Sequence, residues 1–153
     1  ELKIIDETKL LGVMIANYLK WDKNTQYLVK RAYKSMEILR KVASFTTSME
    51  ERKEIYILYV RSILEQSCVV WNSSITVENS DDLERVQKAA VRIIVGQNYT
   101  NYENALMKAD LEPLKIRRDE VCKTFADFFL ESVDDYHISK EDRTSHPVIS
   151  NCK

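Results

Sequence analysis

Between Leu83 and Gly96 the chain reads Leu83-Glu84-Arg85-Val86-Gln87-Lys88-Ala89-Ala90-Val91-Arg92-Ile93-Ile94-Val95-Gly96. At about 100° per residue, Leu83, Val86, Ala90, Ile93 and Ile94 collect on one side of a helix, and Arg85, Lys88 and Arg92 on the other. Ser80 is placed to cap its first turn, and Asp81, Asp82 and Glu84 put negative charge at the positive end of the dipole. Gly96 suits a left-handed stop. Such a helix needs neighbours to cover its apolar face. The chain encodes few turns from which to build anything but more helices, because its 153 residues include only two Gly and two Pro. The expected fold class is therefore mainly α: a short N-terminal β-hairpin followed by a bundle of about five helices.

Taken in order, residues 1–20 form the hairpin. Leu2-Lys3-Ile4-Ile5 and Lys9-Leu10-Leu11-Gly12-Val13-Met14-Ile15 read as strands joined by Asp6-Glu7. The second strand is nearly continuous in apolar residues, which suits a strand covered on both faces. Gly12 within it marks a bulge or a close backbone approach. So small a hairpin is not stable alone and must pack on the helices or belong to a larger sheet.

Residues 21–132 form the bundle. Asp22 or Asn24 begins a helix to about Ser44, with Leu28, Ala32, Ser35, Met36, Leu39, Val42 and Ala43 on its inner face and Lys23, Lys30, Lys34 and Lys41 gathered opposite. A lysine stripe of this kind is either a solvated outer face or a surface that tracks phosphates. Ser48-Met49-Glu50-Glu51 is a capping box opening an intensely apolar helix as far as Trp71. Within that helix Arg61 and Glu65, four apart, are placed to pair or to snorkel at its edge. A polar connector, residues 72–79, leads into the Leu83–Gly96 helix. Thr100-Asn101-Tyr102-Glu103 is a second capping box, opening a short helix to about Lys108. Pro113 suits the first turn of a last long helix, with Leu114, Val121, Cys122, Phe125, Ala126, Phe128 and Phe129 facing inward. Residues 133–153 turn polar and lose periodicity, and read as a loose tail.

Hydrophobic residues make up 44% and charged residues 31%, which excludes wholesale disorder, and a net charge of −1 pulls the whole chain toward neither nucleic acid nor membrane. The basic charge is local: seven Lys or Arg fall between Lys20 and Ala43, against Asp22 and Glu37. No apolar run reaches the ~18–20 residues that span a bilayer, so no membrane partner is expected. Cys68, Cys122 and Cys152 are odd in number and far apart, which fits reduced thiols in an intracellular protein better than a disulfide framework. The opening Glu1-Leu2-Lys3, with neither Met nor signal peptide, suggests a segment of something longer.

Catalytic constellations are missing from the pattern. Asp81-Asp82 opens a helix, where the dipole alone accounts for acids, and Asp134-Asp135 lies in the tail, so neither pair reads as a two-metal site. His137, His146 and Cys152 lack a fourth ligand and tight spacing. Gly12 and Gly96 are the only glycines, so no glycine-rich phosphate loop exists. This chain does not read as a complete enzyme.

Several blocks together resemble one family. Lys9-Leu10-Leu11-Gly12-Val13 followed by Leu19-Lys20-Trp21 resembles the strand just after the catalytic palm in the reverse transcriptases of non-LTR retrotransposons, of the jockey- and CR1-like type. Ile63-Leu64-Glu65, Val70-Trp71-Asn72, Leu83-Glu84-Arg85-Val86-Gln87-Lys88, Arg92-Ile93-Ile94-Val95-Gly96, Tyr102-Glu103-x-Ala105-Leu106, Leu111-Glu112-x-Leu114 and Arg117-Arg118 follow in that family's order at similar spacing. The family commonly has His where this chain has Asn24, and Tyr where it has Gln66. The resemblance implies the primer-grip strand, thumb and following helical region of an RNA-directed DNA polymerase, working in the nucleus or cytoplasm. The Tyr-Ala-Asp-Asp-type motif and its Mg²⁺ belong to the palm, which this chain lacks, so no cofactor is expected here. The implied partners are an RNA template–DNA primer duplex and the palm of the same polymerase. Lys9 and Gly12 map to the primer-grip region and the first helix to the thumb, so Lys9, Gly12, Lys23, Lys30, Lys34 and Lys41 are the candidate nucleic-acid contacts. The competing reading is a non-enzymatic helical interaction module, a decayed or repurposed element fragment with its lysines merely solvated.

Overall fold

The structure, a computed structural model, describes residues 6–45 and 48–144, with side chains described as far as Ser132. It is a two-stranded antiparallel hairpin followed by a bundle of five helices. β1 (Glu7–Leu10) pairs with β2 (Val13–Ala16), with Leu10 opposite Val13 and Lys9 opposite Met14. The turn is therefore Leu11-Gly12, not Asp6-Glu7 as the polar residues suggest. Both turn residues have positive φ, 47° at Leu11 and 88° at Gly12, as a two-residue hairpin loop matching strand twist requires. The expected strand at Leu2–Ile5 lies outside the described residues.

Helix α1 (Asp22–Phe45) starts where the sequence places it, with the Trp21 carbonyl accepting from the Thr25 N–H at 2.8 Å. Its buried Leu28, Ala32, Met36 and Leu39 recur at four and three residues, and pack on the helix that follows the connector. α2 (residues 49–64) opens on Ser48, whose side chain accepts from the Glu51 N–H. It then departs from expectation. Its buried residues are Tyr56, Val60 and Leu64, a strict spacing of four that drifts by about 40° per step on an ideal helix. A π-helical turn spans Ile57–Arg61, with the Ser62 N–H reaching back to the Ile57 carbonyl. The helix does not continue to Trp71: it breaks at residues 65–67, where Ser67 is left-handed (φ 54°), and a single turn, Cys68–Trp71, follows.

Helix α3 (Val77–Val95) is the axis of the bundle, packing against α1, α2, α4 (Tyr102–Ala109) and α5 (Leu114–Thr144). It begins earlier than the sequence suggests. Thr76, not Ser80, is the cap, accepting from the Asn79 N–H at 3.1 Å, and the first-turn acid is Glu78. Gly96 ends it at φ 62°. At α4 the cap is Asn101, one residue past the expected Thr100.

α5 outruns the bundle. Leu114 and Arg118 are fully buried and Val121 and Cys122 half-buried, but Phe125, Phe128 and Phe129 on the same side of the helix are exposed by 53%, 68% and 57%. The expected inward placement of these phenylalanines is thus corrected: their stripe continues the core-facing stripe beyond the last residue that packs on it. The helical backbone also runs through Thr144, past the point where a loose tail was expected. Among the described residues, no helix is long and apolar enough to cross a membrane.

Candidate nucleic-acid interface

Lys9 projects from β1 onto α1. Its Nζ donates to the Tyr27 hydroxyl at 2.6 Å and lies 4.7 Å from the ring centroid. One helical turn on, the Arg31 guanidinium lies 5.3 Å from the same centroid. Among the described residues, neither cation is ion-paired to a carboxylate. Two positive charges therefore converge on one tyrosine, with no carboxylate paired to either among the described residues. The Lys9 hydrogen bond, aided by the charges of Arg31 and Lys9, lowers the Tyr27 pKa from its ordinary value.

Arg31 is oriented from behind, its Nη1 donating to Gln66 Oε1 at 2.6 Å. Gln66 also lies against the hairpin turn: a β-carbon on Gly12 would come 2.4 Å from Gln66 Nε2. Gly12 is thus neither a strand bulge nor a site of backbone approach: it lies in the hairpin turn, and what comes close is the side chain of Gln66, from the turn that ends α2. Asn24 completes the bracing, since its buried Oδ1 accepts the Met14 N–H at 3.1 Å and holds β2 on α1. Asn24 and Gln66 thus both seat the hairpin.

The lysines divide by environment. Lys23 reaches Glu7 of β1 at 3.9 Å, a contact half open to solvent. Lys30, Lys34 and Lys41 are exposed and have no ion-pair partner among the described residues. Glu37, the acid beside them, is taken up by Arg40. From Tyr27 to Lys41 the stripe runs roughly 21 Å along the helix axis. The structure brings Lys9, Lys23 and Lys30 to one end of it and leaves Lys41 at the other. Arg31 and Tyr27 were missed by sequence reasoning, although their spacing of four on a helix was a readable signal.

The other motif residues meet elsewhere, in a polar network inside the bundle. Tyr56 donates to Gln87 Oε1 at 2.5 Å, and Gln87 Nε2 donates to the Tyr102 hydroxyl at 2.9 Å and to the Glu112 carbonyl at 2.8 Å. Tyr102 in turn donates to Glu84. The Glu84 carboxylate also accepts from the Leu114 and Lys115 N–H groups, closing the N-terminus of α5. Burial, and for Tyr102 the hydrogen bond to Glu84 as well, raises the pKa of Tyr56 and Tyr102. Arg118, fully buried, donates to Asn72 Oδ1 at 2.8 Å and to Ser80 Oγ at 2.9 Å. Its pKa is lowered by burial.

Arg61 pairs with Glu65 at 3.8 Å as its spacing suggests, and Arg117 joins them at 3.4 Å. Asp82 is held by Arg85 at 3.0 Å. Among the described residues, no group of three or more His, Cys, Asp or Glu side chains is placed to hold a metal ion. In comparisons with family models, curated proteins and solved structures, nothing matches this chain.

Proposed function

We propose that this chain is the template–primer-gripping part of a non-LTR retrotransposon reverse transcriptase: the strand after the palm, the thumb and the helices that follow. On this reading the protein works inside the cell, its partners are an RNA–DNA duplex and the palm of the same polymerase, and the Mg²⁺-binding carboxylates belong to that palm. The observation that carries the reading is the convergence of Lys9 and Arg31 on Tyr27, with no carboxylate paired to either among the described residues, continuous with Lys23, Lys30, Lys34 and Lys41 along α1. Backbone phosphates supply the missing negative charge. Recognition through phosphates accepts any sequence, as a polymerase thumb must.

The test is the salt dependence of binding to an RNA–DNA hybrid. Each phosphate neutralised contributes about 0.7–0.9 to the slope of log affinity against log salt. Replacing Lys23, Lys30 and Lys34 together by Gln should flatten that slope by roughly two units, equally for unrelated sequences, with thermal unfolding unchanged. An unaltered slope would leave the stripe an ordinary solvated face. That outcome would favour the second reading, a non-enzymatic interaction module, for which the exposed Phe125, Phe128 and Phe129 already offer a protein-binding surface.

A further inference from the structure

Helix α5 leaves the bundle after Cys122. Val121 and Cys122 are packed against the edge of the core, and every residue from Lys123 to Ser132 is exposed. The exposed stretch is not polar. Phe125, Phe128 and Phe129 recur at three and four residues and share one face, while Lys123 and Asp127 fall on the opposite one. With exposures from 53% to 68%, the three rings leave about 350 Å² uncovered, taking about 200 Å² for a whole side chain. The charge of α5 is divided along its length. Residues 114–123 carry Lys115, Arg117, Arg118 and Lys123 against Asp119 and Glu120, whereas residues 124–135 carry Asp127, Glu131, Asp134 and Asp135 and no cation. Two such helices laid antiparallel set each acidic half beside the other's basic half and oppose their dipoles. Laid parallel, they set like charge on like.

We propose that the Phe125–Phe129 face of α5 binds the same face of a second copy of this chain, the two helices packing antiparallel about a two-fold axis. Phe125 of each copy then meets Phe129 of the other. A self-complementary contact of this kind buries about 700 Å² of aromatic surface in all. At the usual apolar share of about 57%, the whole interface reaches about 1,200 Å², the lower end of specific interfaces. Such an area suits a reversible dimer rather than an obligate one. The pairing makes no use of the lysines of α1, so it stands apart from the proposed function.

Sedimentation velocity of the full chain, without nucleic acid and under reducing conditions, from about 1 to about 300 µM and at low and moderate salt, tests the pairing. The expected result is a monomer–dimer equilibrium that shifts toward monomer as salt rises, because the opposed halves attract. Phe125→Glu places an unpaired charge in the interface twice per dimer and should raise the dissociation constant by more than ~100-fold. Phe128→Ser should act in the same direction and gives the reading should the first variant fold poorly. Both positions are exposed in the single chain, so the circular dichroism of either variant should match that of the parent at dilutions where the parent is monomeric. A chain that stays monomeric throughout overturns the proposal and leaves the face to a different partner. A dimer untouched by both substitutions, or one that tightens with salt as parallel helices would, overturns it as well.

Discussion

Gln66 closes over Gly12: its amide nitrogen occupies the space where a side chain at position 12 would begin, and its amide oxygen is held by Arg31. Gly12 is therefore required twice, for its φ of 88° and for the room it leaves. Gly12→Ala should destabilise the protein by about 1–2 kcal/mol from backbone strain alone, with more from displacing Gln66. Urea unfolding of Gly12→Ala, Gln66→Ala and the double variant separates the two contributions. The cost of the alanine should shrink, without vanishing, when Gln66 is already gone. On the proposed function, affinity for an RNA–DNA hybrid should also fall with the displacement of Gln66, since Arg31 then loses its support.

Leu11 is the opposite case. It is a branched apolar residue at φ 47°, 90% exposed. Leu11→Asn creates the Asn-Gly pair that such a turn favours and gives up little packing. It should stabilise the chain by about 1 kcal/mol. The midpoint of urea unfolding should rise with an unchanged slope.

Glu84 gathers three donors from two elements: the Tyr102 hydroxyl and the Leu114 and Lys115 N–H groups. Glu84→Gln removes the charge and offers only one acceptor oxygen. The expected loss is about 1–3 kcal/mol. Amide exchange at Leu114 and Lys115 should quicken by more than exchange in α1, which distinguishes a loosened α5 from a general loss of stability.

The tyrosines should titrate in two groups. Tyr27, with its pKa lowered by the Lys9 hydrogen bond and the charge of Arg31, should ionise below the ordinary tyrosine range. Its interaction stabilises the fold above the unfolded tyrosine pKa, and that contribution is lost as pH falls through the folded value. Tyr56 and Tyr102 run the other way. Their pKa values are raised, so their contribution is present below the unfolded value and lost as pH rises above it. Phenolate absorbance followed with pH should show one early tyrosine that disappears in Tyr27→Phe and moves upward in Lys9→Met. Tyr56 and Tyr102 should ionise only together with unfolding.

Much of the bundle was readable because periodicity and caps are local signals. Asp22, Ser48 and Gly96 mark real helix ends, and Leu28, Met36 and Leu39 mark a real inner face. The misreadings have particular causes. A leucine in a left-handed turn runs against its steric preference, so Asp6-Glu7 looked the better turn. The π-helical turn at Ile57–Arg61 leaves no mark in the pattern, because the spacing of four in Tyr56, Val60 and Leu64 also occurs in the regular helix α1 at Leu28, Ala32 and Met36. The stripe through Phe125, Phe128 and Phe129 is genuinely amphipathic, but periodicity says which side of a helix is apolar, not where its neighbours stop. The lysines of the candidate surface were visible as charges, while the Tyr27 junction depends on the hairpin folding back onto α1.

The residues of the internal polar network and those of the outer basic surface do not overlap. Glu84, Gln87 and Tyr102 answer to one another through oriented bonds, and Arg118 to Asn72 and Ser80, so replacing one leaves several groups stranded. Lys30, Lys34 and Lys41 answer to nothing else in the described chain. Inheritance should therefore preserve the interior vocabulary long after the exterior has drifted: descendants could gain or shed a lysine at no architectural penalty. On the proposed reading, Leu83–Lys88 and Leu111–Leu114 would record the scaffold, whereas a change of ligand would be written on the outward side of α1.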